Sequence, residues 1–206
     1  MDVDVAARAG RTALDLAAAC LEGGARLLQL RSKLLAGGTF LEIAAAVVAR
    51  ARGAGATVVI NDRADVARLA HADGVHVGQD DLGPAAVRRV LGADAIVGRS
   101  THTSEQMARA LGEPISYLAI GPVFATATKA TGYAPVGLEG VARAAAAARA
   151  RGVPVVAIGG ITLDRAPEVL AAGAASVAVI TDLLTGGDPS ARVRAYLDRL
   201  SAPKTV

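Results

Sequence analysis

The chain has 206 residues, 52% hydrophobic but only 2% aromatic, with a formal charge of +3. That length fits one domain, 1–206, large enough to bury a substantial core. Scattered basic residues with few aromatics argue against nucleic acid as a partner, and no apolar run reaches the ~18 residues of a membrane span.

Thirteen residues from Arg11 to Gly23 (RTALDLAAACLEG) carry apolar side chains at helical spacing and stop at a Gly-Gly pair. Arg26–Arg31 reads as a strand, Leu41–Arg52 as a helix, and Thr57–Ile60 as a strand ending on Asn61-Asp62. A short helix (Asp65–Ala70) leads to a strand at Gly74–Val77, and a helix at Pro84–Leu91 precedes one at Ala95–Val97. A helix at Ser104–Leu111 leads to a strand at Tyr117–Ile120, then to a polar loop, 121–135, long enough to suggest function. The helix Leu138–Ala150 leads into the strand Val155–Ile158; helix Ala166–Ala172, strand Val177–Ile180 and helix Ala191–Leu200 complete the order.

Strict alternation predicts an all-parallel α/β sheet, and polar strand ends throughout point to a (β/α)₈ TIM barrel. The pattern supplies seven strands, and the first strand is read as lacking or truncated. Met1–Ala6 (MDVDVA) alternates weakly and could form a stub; a first strand upstream of Met1 is the favoured reading. An open, doubly wound sheet is the competing architecture. The lone Cys20 belongs to an apolar helical face, which suits a reducing compartment, and no basic segment follows Met1, so cytoplasm is the expected location. Association into a homo-oligomer stays open.

Two junctions suit an anion. Gly159-Gly160 follows an apolar strand and precedes a helix capped by Thr162 or Asp164, with Pro167 in its first turn, so free backbone N–H groups collect there. The second is the end of the last strand, Ile180-Thr181; in a barrel, the loops after strands 7 and 8 commonly hold phosphate. Arg31, Lys33 and Lys129 reach the same face and suit a polyphosphate, each unit pair at ~4 Å gaining ~4 kcal/mol at an effective dielectric of about 20. Asp62 and Asp81, on adjacent strand ends, can share Mg²⁺, with Asp80 as the rival to Asp81. His102 is the candidate for proton transfer; His71 and His76 read as structural.

These motifs, in order and spacing, match a known family. Gln29-Leu-Arg31-Ser-Lys33, Asn61-Asp62, Gly74-Val-His-Val-Gly-Gln-Asp-Asp81, Gly98-Arg-Ser100-Thr-His102, Gly121-Pro-Val-Phe-Ala-Thr126-Ala-Thr128-Lys129 and Ala157-Ile-Gly-Gly-Ile161 resemble thiamine phosphate synthase. The resemblance implies a (β/α)₈ barrel that joins 4-amino-2-methyl-5-hydroxymethylpyrimidine diphosphate to a thiazole phosphate, with Mg²⁺ as cofactor. It implies that Gln29, Arg31, Lys33, Asn61, Ser100 and Lys129 hold the pyrimidine diphosphate, with Arg31, Lys33, Ser100 and Lys129 the catalytic group. Asp62 and Asp81 would be the metal ligands, and Thr126, Thr128, Gly160, Ile180 and Thr181 would hold the thiazole phosphate. The alternatives are the thiazole tautomerase branch, which has His at the position of Pro122, and a non-catalytic phosphate-ligand-binding barrel.

Overall fold

The computed structural model describes residues 1–126 and 132–201. Its frame is one sheet of seven parallel strands in sequence order, curled into a partial barrel. The strands are β1 (Leu27–Leu30), β2 (Thr57–Asn61), β3 (Gly74–Val77), β4 (Ile96–Thr101), β5 (Tyr117–Ile120), β6 (Val155–Ile158) and β7 (Ser176–Ala178). A doubly wound sheet needs the order to reverse at an interior switch point. No reversal occurs, so that alternative is set aside.

The helices are α1 (Val3–Arg8), α2 (Ala13–Glu22), α3 (Gly37–Gly53), α4 (Ala64–Leu69), α5 (Pro84–Leu91), α6 (Ser104–Ala110), α7 (Gly137–Arg149), α8 (Ala166–Ala171) and α9 (Pro189–Ser201). A 3-10 turn, Thr181–Leu184, follows β7. Among the described residues, no helix is long and apolar enough to cross a membrane.

Burial explains the strand composition. β3 and β5 are buried along their whole length, whereas β1 and β7 include exposed positions. Central strands lie between helices and barrel interior, so their sequences are apolar runs; edge strands keep a wetter side. Close strand approach also requires glycine. A Cβ at Gly74 would lie 1.9 Å from the Ile96 carbonyl oxygen, and one at Gly98 would lie 2.1 Å from the Tyr117 ring.

The start of the chain departs from the expected strand stub. Asp2 makes a single parallel bridge to Arg31 beyond the end of β1, and α1 begins at once. The reason is capping: the Asp2 side chain accepts a hydrogen bond from the Val5 N–H, and Asp4 sits in the first turn. Neither β1 nor β7 pairs with an eighth strand among the described residues. Two other boundaries move. α3 starts at Gly37 instead of Leu41, anchored by buried Phe40, and β7 stops at Ala178 because Ile180 already turns into the 3-10 segment.

Candidate active site

At the ends of β2 and β3, Asp62 and Asp81 approach one another. Asp62 has a φ of 63°, a left-handed conformation that a non-glycine residue adopts only when its surroundings hold it there. Its backbone N–H is held by the His76 carbonyl, and its carboxylate takes the Lys33 ammonium at 2.5 Å. Burial, and then the Asp62 carboxyl beside it, raise the Asp81 carboxyl above its ordinary value. A hydrogen bond from the Gly78 N–H, at 2.8 Å, works in the opposite direction. Asp80 is exposed, whereas Asp81 is half-buried beside Asp62. Two carboxylates held together with a single lysine suit a hard divalent cation that keeps waters and shares ligand phosphates. No group of three or more His, Cys, Asp or Glu is arranged for a metal among the described residues, so two carboxylates would leave coordination positions to water and ligand oxygens.

The barrel interior carries a polar ladder. His76 bridges Ser100 Oγ (Nε2, 2.7 Å) and Tyr117 OH (Nδ1, 2.9 Å), and Tyr117 also bonds the Gln29 side chain. Burial pushes the Tyr117 phenol up to about 12, so it stays a proton donor at neutral pH. The Gln79 amide donates to the Ser100 carbonyl at 2.6 Å. Asn61 is buried at the end of β2. Arg31 pairs with Asp2, and among the described residues its Nε is buried without a hydrogen-bond partner.

The opposite side of the mouth holds a cavity of about 470 Å³. Ser100, His102, Thr126, Gly160, Ile180 and Thr181 line it, together with Arg165 and Asp182. Gly159 and Gly160 have φ of 100° and 64°, and a Cβ on Gly160 would lie 2.6 Å from the Ala125 carbonyl oxygen. The Gly-Gly turn therefore serves packing and lines the cavity at once. The expected caps differ: Arg165 is the N-cap of α8, with no side-chain cap bond, and Thr162 instead accepts backbone bonds through its carbonyl. His102 stacks on Tyr133 with centroids 4.1 Å apart, and its Nδ1 lies 2.5 Å from the Gly121 carbonyl.

The geometry thus forms two groups, the Lys33–Asp62–Asp81 cluster and the cavity between β4 and β7, and Ser100 links that cavity to the His76–Tyr117 ladder. Asp62 and Asp81 are not part of the cavity wall. Thr128 and Lys129 lie outside the described residues. Sequence reasoning did not single out Arg165 and Asp182 of the cavity wall or Tyr117 of the ladder; it read His76 as structural, and His76 is buried between Ser100 and Tyr117. Only His76 left a usable signal, a polar residue at alternate parity within an apolar strand; Arg165, stacked 4.3 Å over the Phe124 ring, left none.

The family model described as thiamine monophosphate synthase matches residues 3–183. A thiamine-phosphate synthase of Chlorobium luteolum is 41% identical over 184 residues, covering 89% of this chain and 85% of that protein. One from Anaeromyxobacter dehalogenans is 48% identical over 175 residues, covering 85% and 77%. Among solved structures, thiamine phosphate pyrophosphorylase from Pyrococcus furiosus superposes with a TM-score of 0.83 at 30% identity, covering 91% and 89%. Phosphoribosyl anthranilate isomerase from Thermotoga maritima, at 15% identity and a TM-score of 0.65, shares the fold alone.

Proposed function

The chain belongs to the thiamine monophosphate synthase family, and from that premise we propose how its residues carry out the reaction. It is a thiamine-phosphate synthase, an enzyme of thiamine biosynthesis acting on phosphorylated small molecules. Its proposed substrates are 4-amino-2-methyl-5-hydroxymethylpyrimidine diphosphate and a thiazole phosphate, with Mg²⁺ as cofactor.

The observation that carries the reading is the facing pair Asp62 and Asp81 with Lys33 on their rim. Those carboxylates would hold the cation, which when bound neutralises charge on diphosphate oxygens. Lys33, Arg31, Asn61, Ser100 and Lys129 would grip the same diphosphate, while Gln29 and the ladder behind it orient the pyrimidine ring. The methylene C–O bond breaks with its electron pair leaving on diphosphate. The thiazole nitrogen then donates its pair to that carbon, forming the new C–N bond. No protein nucleophile is required, and acceleration comes from positioning and from cationic groups aimed at the leaving group. Gly160, Ile180, Thr181, Thr126 and Thr128 would hold the thiazole phosphate, and Arg165 supplies a permanent positive charge on that cavity wall.

The test is diphosphate release from the purified protein, with both substrates together and each alone, in Mg²⁺ and in chelator. Release that needs both substrates and Mg²⁺ is expected. A thiazole tautomerase releases none under any condition, and a binding protein responds to ligand only by melting at higher temperature. Either result overturns the reading.

A further inference from the structure

Asp182 stands in the wall of the phosphate cavity, where an anion would repel the ligand unless other groups neutralise it. Its carboxylate is only 12% exposed and every interaction it makes leads to a different element. Arg192 of α9 grips it through Nε at 3.1 Å and Nη2 at 2.9 and 3.0 Å. The Tyr196 hydroxyl, also from α9, donates to it at 2.5 Å, and the Leu163 N–H, from the loop after β6, at 3.2 Å. Asp182 itself belongs to the 3-10 turn after β7. One side chain therefore joins the loop that carries Gly160, the turn that carries Thr181, and the last helix. Forked Arg–carboxylate pairing fixes direction as well as distance.

We propose that Asp182 is a positioning residue for substrate phosphate: it sets the spacing between the Gly160 loop and the Thr181 turn, so that backbone donors of the first and the Thr181 hydroxyl of the second meet one phosphate group. The inference rests on the placement of thiazole phosphate between those two segments. Its charge contributes nothing to binding directly, because Arg192 cancels it. Geometry and electrostatics then predict opposite signs. Removing a negative charge beside an anion site tightens binding if electrostatics dominates, and loosens it if spacing does.

The test compares Asp182→Asn, Tyr196→Phe and the double variant by steady-state kinetics. Substrates are the pyrimidine diphosphate and the thiazole, the latter with and without its phosphate. Expected for Asp182→Asn is a rise in KM for thiazole phosphate of about tenfold, the scale of one hydrogen bond to a charged group. KM for the unphosphorylated thiazole alcohol, KM for the pyrimidine diphosphate and kcat should stay within about twofold, since those groups lie outside the tied spacing. Tyr196→Phe should show the same selectivity more weakly, and the double variant should be no worse than Asp182→Asn alone, because both act on one tie. Tyr196→Phe removes a single hydroxyl and keeps the test sound should Asp182→Asn fail to fold. Equal losses for phosphorylated and unphosphorylated thiazole, or a lowered KM, overturn the proposal. Thr181→Ala separates the layers. If it raises KM for thiazole phosphate while Asp182→Asn does not, the inference alone fails. If neither does, the phosphate placement fails with it.

Discussion

Asp62 and Asp81 hold like charges side by side in a backbone that, at Asp62, is itself in a costly conformation, of order 1–3 kcal/mol. A fold keeps such an arrangement where a ligand repays it, and stability should report the tension. Asp81→Asn is expected to raise the melting temperature in chelator at neutral pH while lowering Mg²⁺-dependent diphosphate release by ~10²-fold or more. The sign follows from the raised carboxyl. The folded state holds the Asp81 proton above its ordinary 3.8, so the ionised form weighs against folding once pH rises through that window. The gain from Asn should therefore be present at pH 7 and vanish below about pH 4; a gain unchanged at acid pH would refute the like-charge account. At Arg165, replacement by Ala should raise KM for thiazole phosphate several-fold, an effect that fades in added salt because the side chain is exposed.

Among the elements, β3, β4 and β5 determine whether the interior ladder exists. Gly98 leaves the room that Tyr117 and His76 occupy; a Cβ there would lie 2.3 Å from the Tyr117 hydroxyl and 2.5 Å from His76 Nδ1. Gly98→Ala should cost about 1–3 kcal/mol as an overpacking change, read from denaturant midpoints, and lower kcat by displacing Ser100. Tyr117 adds an alkaline signature. Its stabilising contribution is complete below pH 10 and is lost as pH rises through about 12, the value to which burial pushes the phenol. Tyr117→Phe should flatten that part of the alkaline melting profile, and an unaltered slope would contradict the assignment. Helices were legible where amphipathic spacing and caps agreed, as in α2 with Thr12 and α5 with Pro84. They were less so in α3, whose first turn contains Gly37 and Gly38 and is held by the burial of Phe40 rather than by propensity.

For the whole molecule, the partial barrel has, among the described residues, two strands with a single neighbouring strand each, β1 and β7. Amides in β1 and β7 should exchange with solvent hydrogen ~10²-fold faster than those of β4 and β5, since edge ladders open locally and central ones only with the whole fold. Uniform protection across the sheet would show that the edges are covered. Substrate should close this gap. Thiazole phosphate at 100 times its Kd stabilises by about 2.7 kcal/mol, or roughly 5–10 °C in a domain of this size, measured by thermal melting.

Alternation of apolar strands and amphipathic helices determined the parallel sheet, because a helix and a strand demand different spacing of buried residues. Motif order determined the family, and polar residues at strand ends marked which face carries the site. Tertiary structure alone decided which polar residues meet. Whether Asp80 or Asp81 lies beside Asp62 depends on the turn after β3, and the joining of Asp182 to Arg192 and Tyr196 spans elements whose spacing in sequence implies nothing about contact. The chemistry of a side chain is local and readable in one dimension; its partner is chosen by packing, which is not.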